Sequence, residues 1–169
     1  MQIEFRKLYQ KDISVIISAF DELGWNKPES IFYKYIEEQE NNTRYIWVAF
    51  IKDIFVGYVT LNLLPEYKFF RNQNIPEISD LNVLPKFRKQ GIGSKLLDLA
   101  ESQAQKMGPY VGLGVGLYED YGNAQRLYIK RGYIPDGNGI TYKCKKLEPG
   151  KTVILDDDLI LWFVKNFSK

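Results

Sequence analysis

Val83-Leu84-Pro85-Lys86-Phe87-Arg88-Lys89-Gln90-Gly91-Ile92-Gly93-Ser94-Lys95-Leu96-Leu97 decides how this chain is read. The strand-like run Ile75 to Leu84 is stopped by Pro85. A helix follows from about Gly91 to Met107, with Ile92, Leu96, Ala100 and Ala104 along one face. Such a junction offers several unpaired backbone N–H groups and the positive end of a helix dipole. Gly91 and Gly93 remove side chains where an anion must approach the backbone, and Arg88 and Lys89 add charge. Every element favours a bound phosphate or pyrophosphate. The Walker order Gly-Lys-Ser/Thr is absent, because Gly93-Ser94-Lys95 is permuted, and Leu96 stands where the dinucleotide motif has its third glycine. Taken alone, Gly-x-Gly beside basic residues also marks an ordinary turn into a helix.

Working outward, residues 2–8 are strand-like, and a helix begins at Asp12, read as its N-cap, with Ile13, Ile16, Ile17 and Phe20 at helical spacing. Pro28 suits the first turn of a second helix carrying Ile31, Phe32, Tyr35 and Ile36. Thr43–Ile51 and Ile54–Leu64 are strands around a Lys52-Asp53 turn, and residues 65–75 read as a polar and aromatic loop. Tyr110–Leu117 is a further strand, Tyr121–Arg131 a short helix, and residues 133–167 are strands joined by Gly and Pro turns. The order β-α-α-β-β-β-α-β-α-β-β predicts a parallel crossover within a mixed central sheet flanked by helices, an α/β fold. No linker or repeat divides the chain, so residues 1–169 are read as a single domain.

Composition narrows the chemistry. With 169 residues and 45% hydrophobic side chains the chain can build a core without staples, and 23 basic against 21 acidic residues give no reason to expect a nucleic-acid or membrane surface. There is no histidine, which removes Ser-His-Asp and Cys-His catalysis and His-containing zinc sites; no metal is expected. A general base must then be a carboxylate, an amine, a tyrosine or a held water. The single Cys144 cannot form an intrachain disulfide, the N-terminus has no signal-peptide core, and the apolar run Leu159 to Val164 is too short to span a bilayer. A cytoplasmic protein is expected.

The quoted stretch resembles motif A of the GNAT superfamily of acetyl-CoA-dependent N-acetyltransferases, whose signature is Gln/Arg-x-x-Gly-x-Gly/Ala after a strand. A second block, Asn123-Ala124-Gln125-Arg126-Leu127-Tyr128-Ile129-Lys130-Arg131-Gly132-Tyr133, resembles that family's Asn-x-x-Ala-x-x-Leu-Tyr-x-x-x-Gly-Phe element. Ala124 follows Asn123 directly, and Tyr133 stands in for Phe. The two blocks and the strands between them cover about residues 76–136, and the N-terminal element order matches as well. The resemblance implies a GNAT fold and acetyl-CoA as cosubstrate. It implies that the main chain of Leu81, Asn82 and Val83 pairs with the pantetheine amides, and that Arg88, Lys89, Gln90, Gly91, Ile92, Gly93 and Ser94 hold the pyrophosphate. It places Asn123 at the pantetheine arm and Tyr128 near the coenzyme sulfur. Lys130 or Arg131 is assigned to the adenosine 3′-phosphate on charge alone.

Acetyl transfer to an amine needs a neutral amine, a polarised carbonyl and a proton for the leaving thiolate. Tyr128 is the candidate acid; its helical neighbours also allow a packed core tyrosine. The resemblance implies Glu77 as the candidate base or acceptor anchor, since in some branches of the family a glutamate at this spacing deprotonates the amine through water. Asp80, three residues on, is the second candidate for the same base or anchor role, though it falls on the other face of a regular strand unless a bulge changes the parity. Gly112, Gly114 and Gly116 leave one face of a strand bare, either for a ligand or for a packed helix. Trp25, Tyr33, Tyr35 and Trp47 are divided between acceptor pocket and core. The acidic runs Glu37-Glu38-Glu40 and Asp156-Asp157-Asp158 read as solvated surface or turn, or as an acidic rim.

Together these readings predict an N-acetyltransferase that moves an acetyl group to a primary amine, small molecule or peptide, by direct attack in a ternary complex. Two alternatives stand beside it: a non-catalytic acyl-CoA-binding module, and a transferase using a longer acyl donor. Homodimers are common in the family, and nothing in this sequence decides the oligomeric state.

Overall fold

The fold is that of a computed structural model in which residues 2–168 are described. It is α/β, with eight strands in a mixed sheet flanked by helices. The chain divides into two compact units: residues up to Asn62 together with Ser79–Gln103, and Leu63–Ile78 together with Ala104 onward.

The first unit holds β1 (Glu4–Lys7), α1 (Ile13–Asp21), α2 (Glu29–Glu40), β2 (Arg44–Ile51), β3 (Ile54–Asn62), the end of β4 (Glu77–Val83) and nearly all of α4 (Ile92–Gln105). β2 lies antiparallel to β1 and to β3, and the β2–β3 hairpin turns at Lys52-Asp53 with Lys52 at φ +56°. The apolar stripe of α1, Ile13, Ile16 and Phe20, meets Phe32 of α2 and Val48, Phe50, Phe55 and Tyr58 of the sheet. Each large apolar side chain so buried contributes about 1.5–3 kcal/mol. Along α4 the expected stripe Ile92, Leu96, Ala100 and Ala104 is buried throughout.

Asp12 sits at the start of α1 yet does not cap it. Its backbone is already helical (φ −81°, ψ −20°), whereas a capping side chain needs an extended one. The carboxylate instead turns back, accepting two hydrogen bonds from the Arg6 guanidinium (2.7 and 2.8 Å) and one from the Tyr9 N–H (2.9 Å). Desolvation pushes this carboxyl up, and the Arg6 and Tyr9 hydrogen bonds outweigh it and hold it below its ordinary value. Arg6 also lies 4.6 Å over the Phe50 ring, so one cation fixes β1 to both the helix start and the sheet.

The second unit holds α3 (Lys68–Asn72), the start of β4, β5 (Tyr110–Gly116), α5 (Gly122–Lys130), β6 (Ile134–Tyr142), β7 (Lys145–Lys146) and β8 (Leu159–Asn166). β4 pairs with β5 in parallel at Glu77–Gly112 and Ile78–Leu113, and β8 runs antiparallel between β5 and β6. The segment 65–75, expected as a loop, contains α3. One turn of helix forms there because it drives Phe70 into a cluster with Tyr67, Ile75 and Trp162, where Tyr67 stacks on Trp162 at 4.3 Å. Among the described residues no helix is long and apolar enough to cross a membrane.

Candidate active site

In the first unit, the junction between β4 and α4 is an irregular turn. A short helical turn at Pro85–Phe87 leads to Arg88 in extended backbone, then Lys89 at φ +60° and Gly91 at φ +80°. A lysine in the left-handed region costs about 1 kcal/mol or more and persists where its surroundings impose it. Lys95 N–H donates to the Gly91 carbonyl, closing the first turn of α4, so the N–H groups of Ile92, Gly93 and Ser94 are the helix's leading donors. Arg88, Lys89, Gln90 and Gly91 are exposed, Gly93 and Ser94 half-buried, and Ile92 is sunk in the core. A Cβ built at Gly91 meets nothing within 4 Å, so the mouth of this turn is open space. An anion approaching there meets backbone donors, a helix dipole and two cations, and the residues present fit a coenzyme pyrophosphate.

Arg88 does more than add charge. Its Nε donates to the Val83 carbonyl (2.9 Å) and its guanidinium lies 5.8 Å over the Trp25 ring, tying the turn to the end of β4. Leu81, Asn82 and Val83 are half-buried at that end. The Asn82 carbonyl lies 2.5 Å from the point where a Cβ on Gly57 would stand. Gly57 is thus required by backbone approach, which the sequence reading overlooked.

Asp80 stands at φ +54° in the middle of β4, the geometry of a bulge. The strand's alternation is broken. Ser79 bonds Thr60 (2.9 Å) and accepts from Arg44 (3.3 Å), while Asp80 reaches Tyr35, whose ring lies under that same Arg44 at 4.5 Å. Asp80 accepts from Lys27 Nζ (2.7 Å) and from the Tyr35 hydroxyl (2.5 Å), and Lys27 also donates to the Tyr58 hydroxyl. Desolvation pushes the Asp80 carboxyl up, but the Lys27 charge and the hydrogen bonds around it prevail and hold it below its ordinary value. Burial, with Asp80 adding to it, pushes both Tyr35 and Tyr58 well above the ordinary phenol. The carboxylate stays ionised and the phenols stay protonated.

Of the four uncertain aromatics, Tyr35 belongs to this cluster and Trp25 packs against Phe20 at 5.6 Å. Trp47 stacks on Tyr45 at 5.9 Å, and Tyr33 is exposed, donating to Glu29. Glu38, expected as solvated surface, pairs with the buried Arg44 at 2.6 Å.

In the second unit, Glu77 opens β4, half-buried and in register with Gly112. Burial, with Glu77 the next cause, pushes the Cys144 thiol up to about 11. Cys144 is half-buried at a tight turn, φ +60°, and packs on the Tyr67, Phe70 and Trp162 cluster. Tyr128 projects from α5, only 8% exposed, with its ring 5.9 Å from Tyr133. Desolvation alone pushes its phenol up to about 12, with no charged group contributing. Asn123 is exposed near the start of α5, Lys130 is exposed at its end, and Arg131 is half-buried just beyond. Gln125 donates to the Gly116 carbonyl (2.9 Å), fastening α5 to the end of β5.

The bare face of β5 is filled from within the protein. A Cβ at Gly112 would stand 2.2 Å from the Phe70 ring, one at Gly114 2.7 Å from Ile160, and one at Gly116 2.4 Å from Tyr121. Aromatic and branched side chains from α3, β8 and the turn before α5 occupy it, where the sequence left a choice between ligand and helix. Phe70 is fully buried and has no room to retreat. Gly112→Ala is therefore expected to lower stability by about 1–3 kcal/mol, read by urea unfolding. Gly108→Ala, whose Cβ meets nothing within 4 Å, serves as the neutral control. The acidic run also has partners: Asp157 accepts from the Tyr118 and Tyr121 hydroxyls, and Asp156 from Tyr142. Among the described residues no group of three or more His, Cys, Asp or Glu side chains is placed to hold a metal ion.

Residues 11–133 match the model of the acetyltransferase (GNAT) family. The chain belongs to that family. Solved structures of similar fold include an N-acetyltransferase from Staphylococcus aureus Mu50 (TM-score 0.73, 16% identity, covering 99% of both chains). A spermidine N-acetyltransferase chimera from Vibrio cholerae and hSSAT is similar too (TM-score 0.69, 15% identity, covering 99% of this chain and 97% of that one). So is the PaiA N-acetyltransferase of Thermoplasma acidophilum, solved in complex with coenzyme A (TM-score 0.64, 18% identity, covering 98% and 99%). No curated protein matches the chain by sequence.

Proposed function

We propose that residues 1–169 act as one N-acetyltransferase domain that moves an acetyl group from acetyl-CoA to a primary amine by direct attack. The observation that carries the reading is the open left-handed turn at Lys89–Gly91 leading into α4. The coenzyme A complex of the Thermoplasma structure supports the choice of coenzyme, and the spermidine enzyme supports a cationic amine as acceptor. Arg88 to Ser94 hold the pyrophosphate, with Leu81–Val83 and Asn123 along the pantetheine arm and Arg131 at the 3′-phosphate.

The atoms balance without an acyl-enzyme. An alkylammonium gives one proton, through water, to Glu77 and becomes a neutral nucleophile. Its nitrogen bonds to the thioester carbon, the C–S bond breaks, and the nitrogen loses a second proton as the amide forms. The departing sulfur takes a proton from Tyr128, which the nascent amide's proton replaces. A phenol near 12 is fully protonated at neutral pH. The apolar surroundings that make it a weak acid also make a thiolate beside it a stronger base. Asp80, ion-paired and held ionised, is a poor proton acceptor and serves as an anchor of charge.

The test is coenzyme binding. Gly91→Leu puts a side chain into the open mouth of the turn and strains a left-handed residue. Calorimetry is expected to show coenzyme A affinity falling by about tenfold or more, about 1.4 kcal/mol, in a variant whose circular dichroism is unchanged. Unchanged affinity would remove the turn as the coenzyme site.

A further inference from the structure

Two side chains from separate strands of the first unit, Asp80 and Tyr58, meet around the Lys27 nitrogen. Lys27 Nζ lies 2.7 Å from Asp80 Oδ1, donates to the Tyr58 hydroxyl, and sits 5.2 Å from the centre of the Tyr58 ring. Asp80's other oxygen accepts from Tyr35. A carboxylate oriented by a second phenol, together with a hydroxyl acceptor, is the complement of a primary alkylammonium group. Nothing in that set is specific to a lysine of this chain.

Lys27 is also poorly suited to be a permanent fixture. It comes from the irregular segment between α1 and α2, one residue before Pro28, where its own N–H donates to the Trp25 carbonyl. Its side chain is 20% and that of Asp80 27% exposed, so the pair is reached from solvent. A four-carbon stem can swing its ammonium into water with no change in the backbone.

We propose that Asp80, Tyr35 and Tyr58 form a subsite for a charged ammonium group of the acceptor, and that Lys27 occupies it as a surrogate until an acceptor displaces it. The proposal rests on the acetyltransferase reading and adds a substrate class to it. Exchanging one ammonium for another conserves the charge and the hydrogen bonds, so the swap costs little. A neutral or anionic ligand would instead leave Asp80 without its counter-ion. The nitrogen held here stays charged, and a charged nitrogen cannot attack a thioester. The acceptor therefore carries two nitrogens, one anchored at Asp80 and one neutral at the thioester: a diamine or polyamine.

Diaminobutane titrated into the full chain without coenzyme tests this. When Lys27 fills the subsite nine-tenths of the time, its removal raises apparent affinity about tenfold. Lys27→Met is expected to bind the diamine about tenfold more tightly than wild type by calorimetry, and Asp80→Asn to lose binding in both backgrounds. In the wild type, the isotope-labelled Lys27 ammonium nitrogen gives a resonance sharpened by its hydrogen bonds, which saturating diamine is expected to abolish. This readout needs no variant to fold. Equal affinity in Lys27→Met, retained binding in Asp80→Asn, or a Lys27 resonance unmoved at saturation would each overturn the proposal. Thiol release from acetyl-CoA is followed separately. Transfer to diaminobutane with an unmoved Lys27 overturns the subsite and leaves the acetyltransferase reading standing; a displaced Lys27 without transfer to any amine does the reverse.

Discussion

Tyr128→Phe is expected to lower turnover about 10²–10⁴-fold while leaving coenzyme A affinity within a factor of about two of wild type. The substitution removes one oxygen from a ring that is 8% exposed and packed against Tyr133, so the shape of α5 and its hydrophobic contacts persist. Two roles for the phenol make opposite forecasts. A purely packing tyrosine becomes a slightly better-buried phenylalanine, and kcat is unchanged. A proton donor leaves the sulfur to depart as a bare thiolate in an apolar setting, and kcat falls while the acceptor's KM stays put. Because desolvation holds the phenol near 12, no loss of activity from its ionisation is expected below about pH 10. A kcat at the wild-type value would return Tyr128 to the core. Thiol release with saturating acceptor, measured beside calorimetric coenzyme binding, separates the two.

What could be read in advance follows the range of the interactions. The helix α4 and its stripe Ile92, Leu96, Ala100 and Ala104 were legible because helical periodicity is a local property, and all four residues are buried. The turn before it was legible because glycine, cation and helix start lie side by side in sequence. The helix α3 was not, since five residues of mixed polarity carry no periodic signal. It exists because Phe70 fills the space over Gly112, forty-two positions away. Gly112, Gly114 and Gly116 announced a bare face but could not say what covers it. Asp12 shows the same boundary on a smaller scale. Its position at a helix start was readable, but the competing claim of the Arg6 guanidinium depended on where β1 lies.

The Lys27, Tyr35, Tyr58 and Asp80 cluster was the least legible part of the candidate site. Lys27 is thirty-one residues from Tyr58 and fifty-three from Asp80, and only folding of β3, β4 and α2 brings them together. The left-handed φ of Asp80 also breaks the alternation by which strand faces are assigned from sequence. Tyr58 sits in a run of buried apolar residues and reads there as core. A lysine just before the proline that starts α2 gives no hint of a carboxylate partner.

Glu77→Gln is expected to reduce kcat about 10²–10⁴-fold at neutral pH with little effect on stability. Glutamine keeps the shape of the side chain at the start of β4 and the pairing of that strand with Gly112, which is made by the backbone. What it removes is an oxygen able to take a proton from an alkylammonium, which at neutral pH is mostly charged. The defect should therefore shrink as the pH rises and free amine becomes abundant, so the pH–rate profile of the variant climbs where that of the wild type has levelled off. A carboxylate that merely anchors the acceptor behaves otherwise: its loss raises KM, spares kcat, and leaves the shape of the profile alone. Cys144 supplies an internal check. Burial and Glu77 both push its thiol up to about 11, so removing the Glu77 charge should make that thiol more acidic and quicken its reaction with a thiol reagent at a fixed pH. An unchanged kcat and an unchanged KM, in a variant whose Cys144 reacts faster, would show the Glu77 charge gone and the chemistry indifferent to it, and the proton's acceptor would then be solvent.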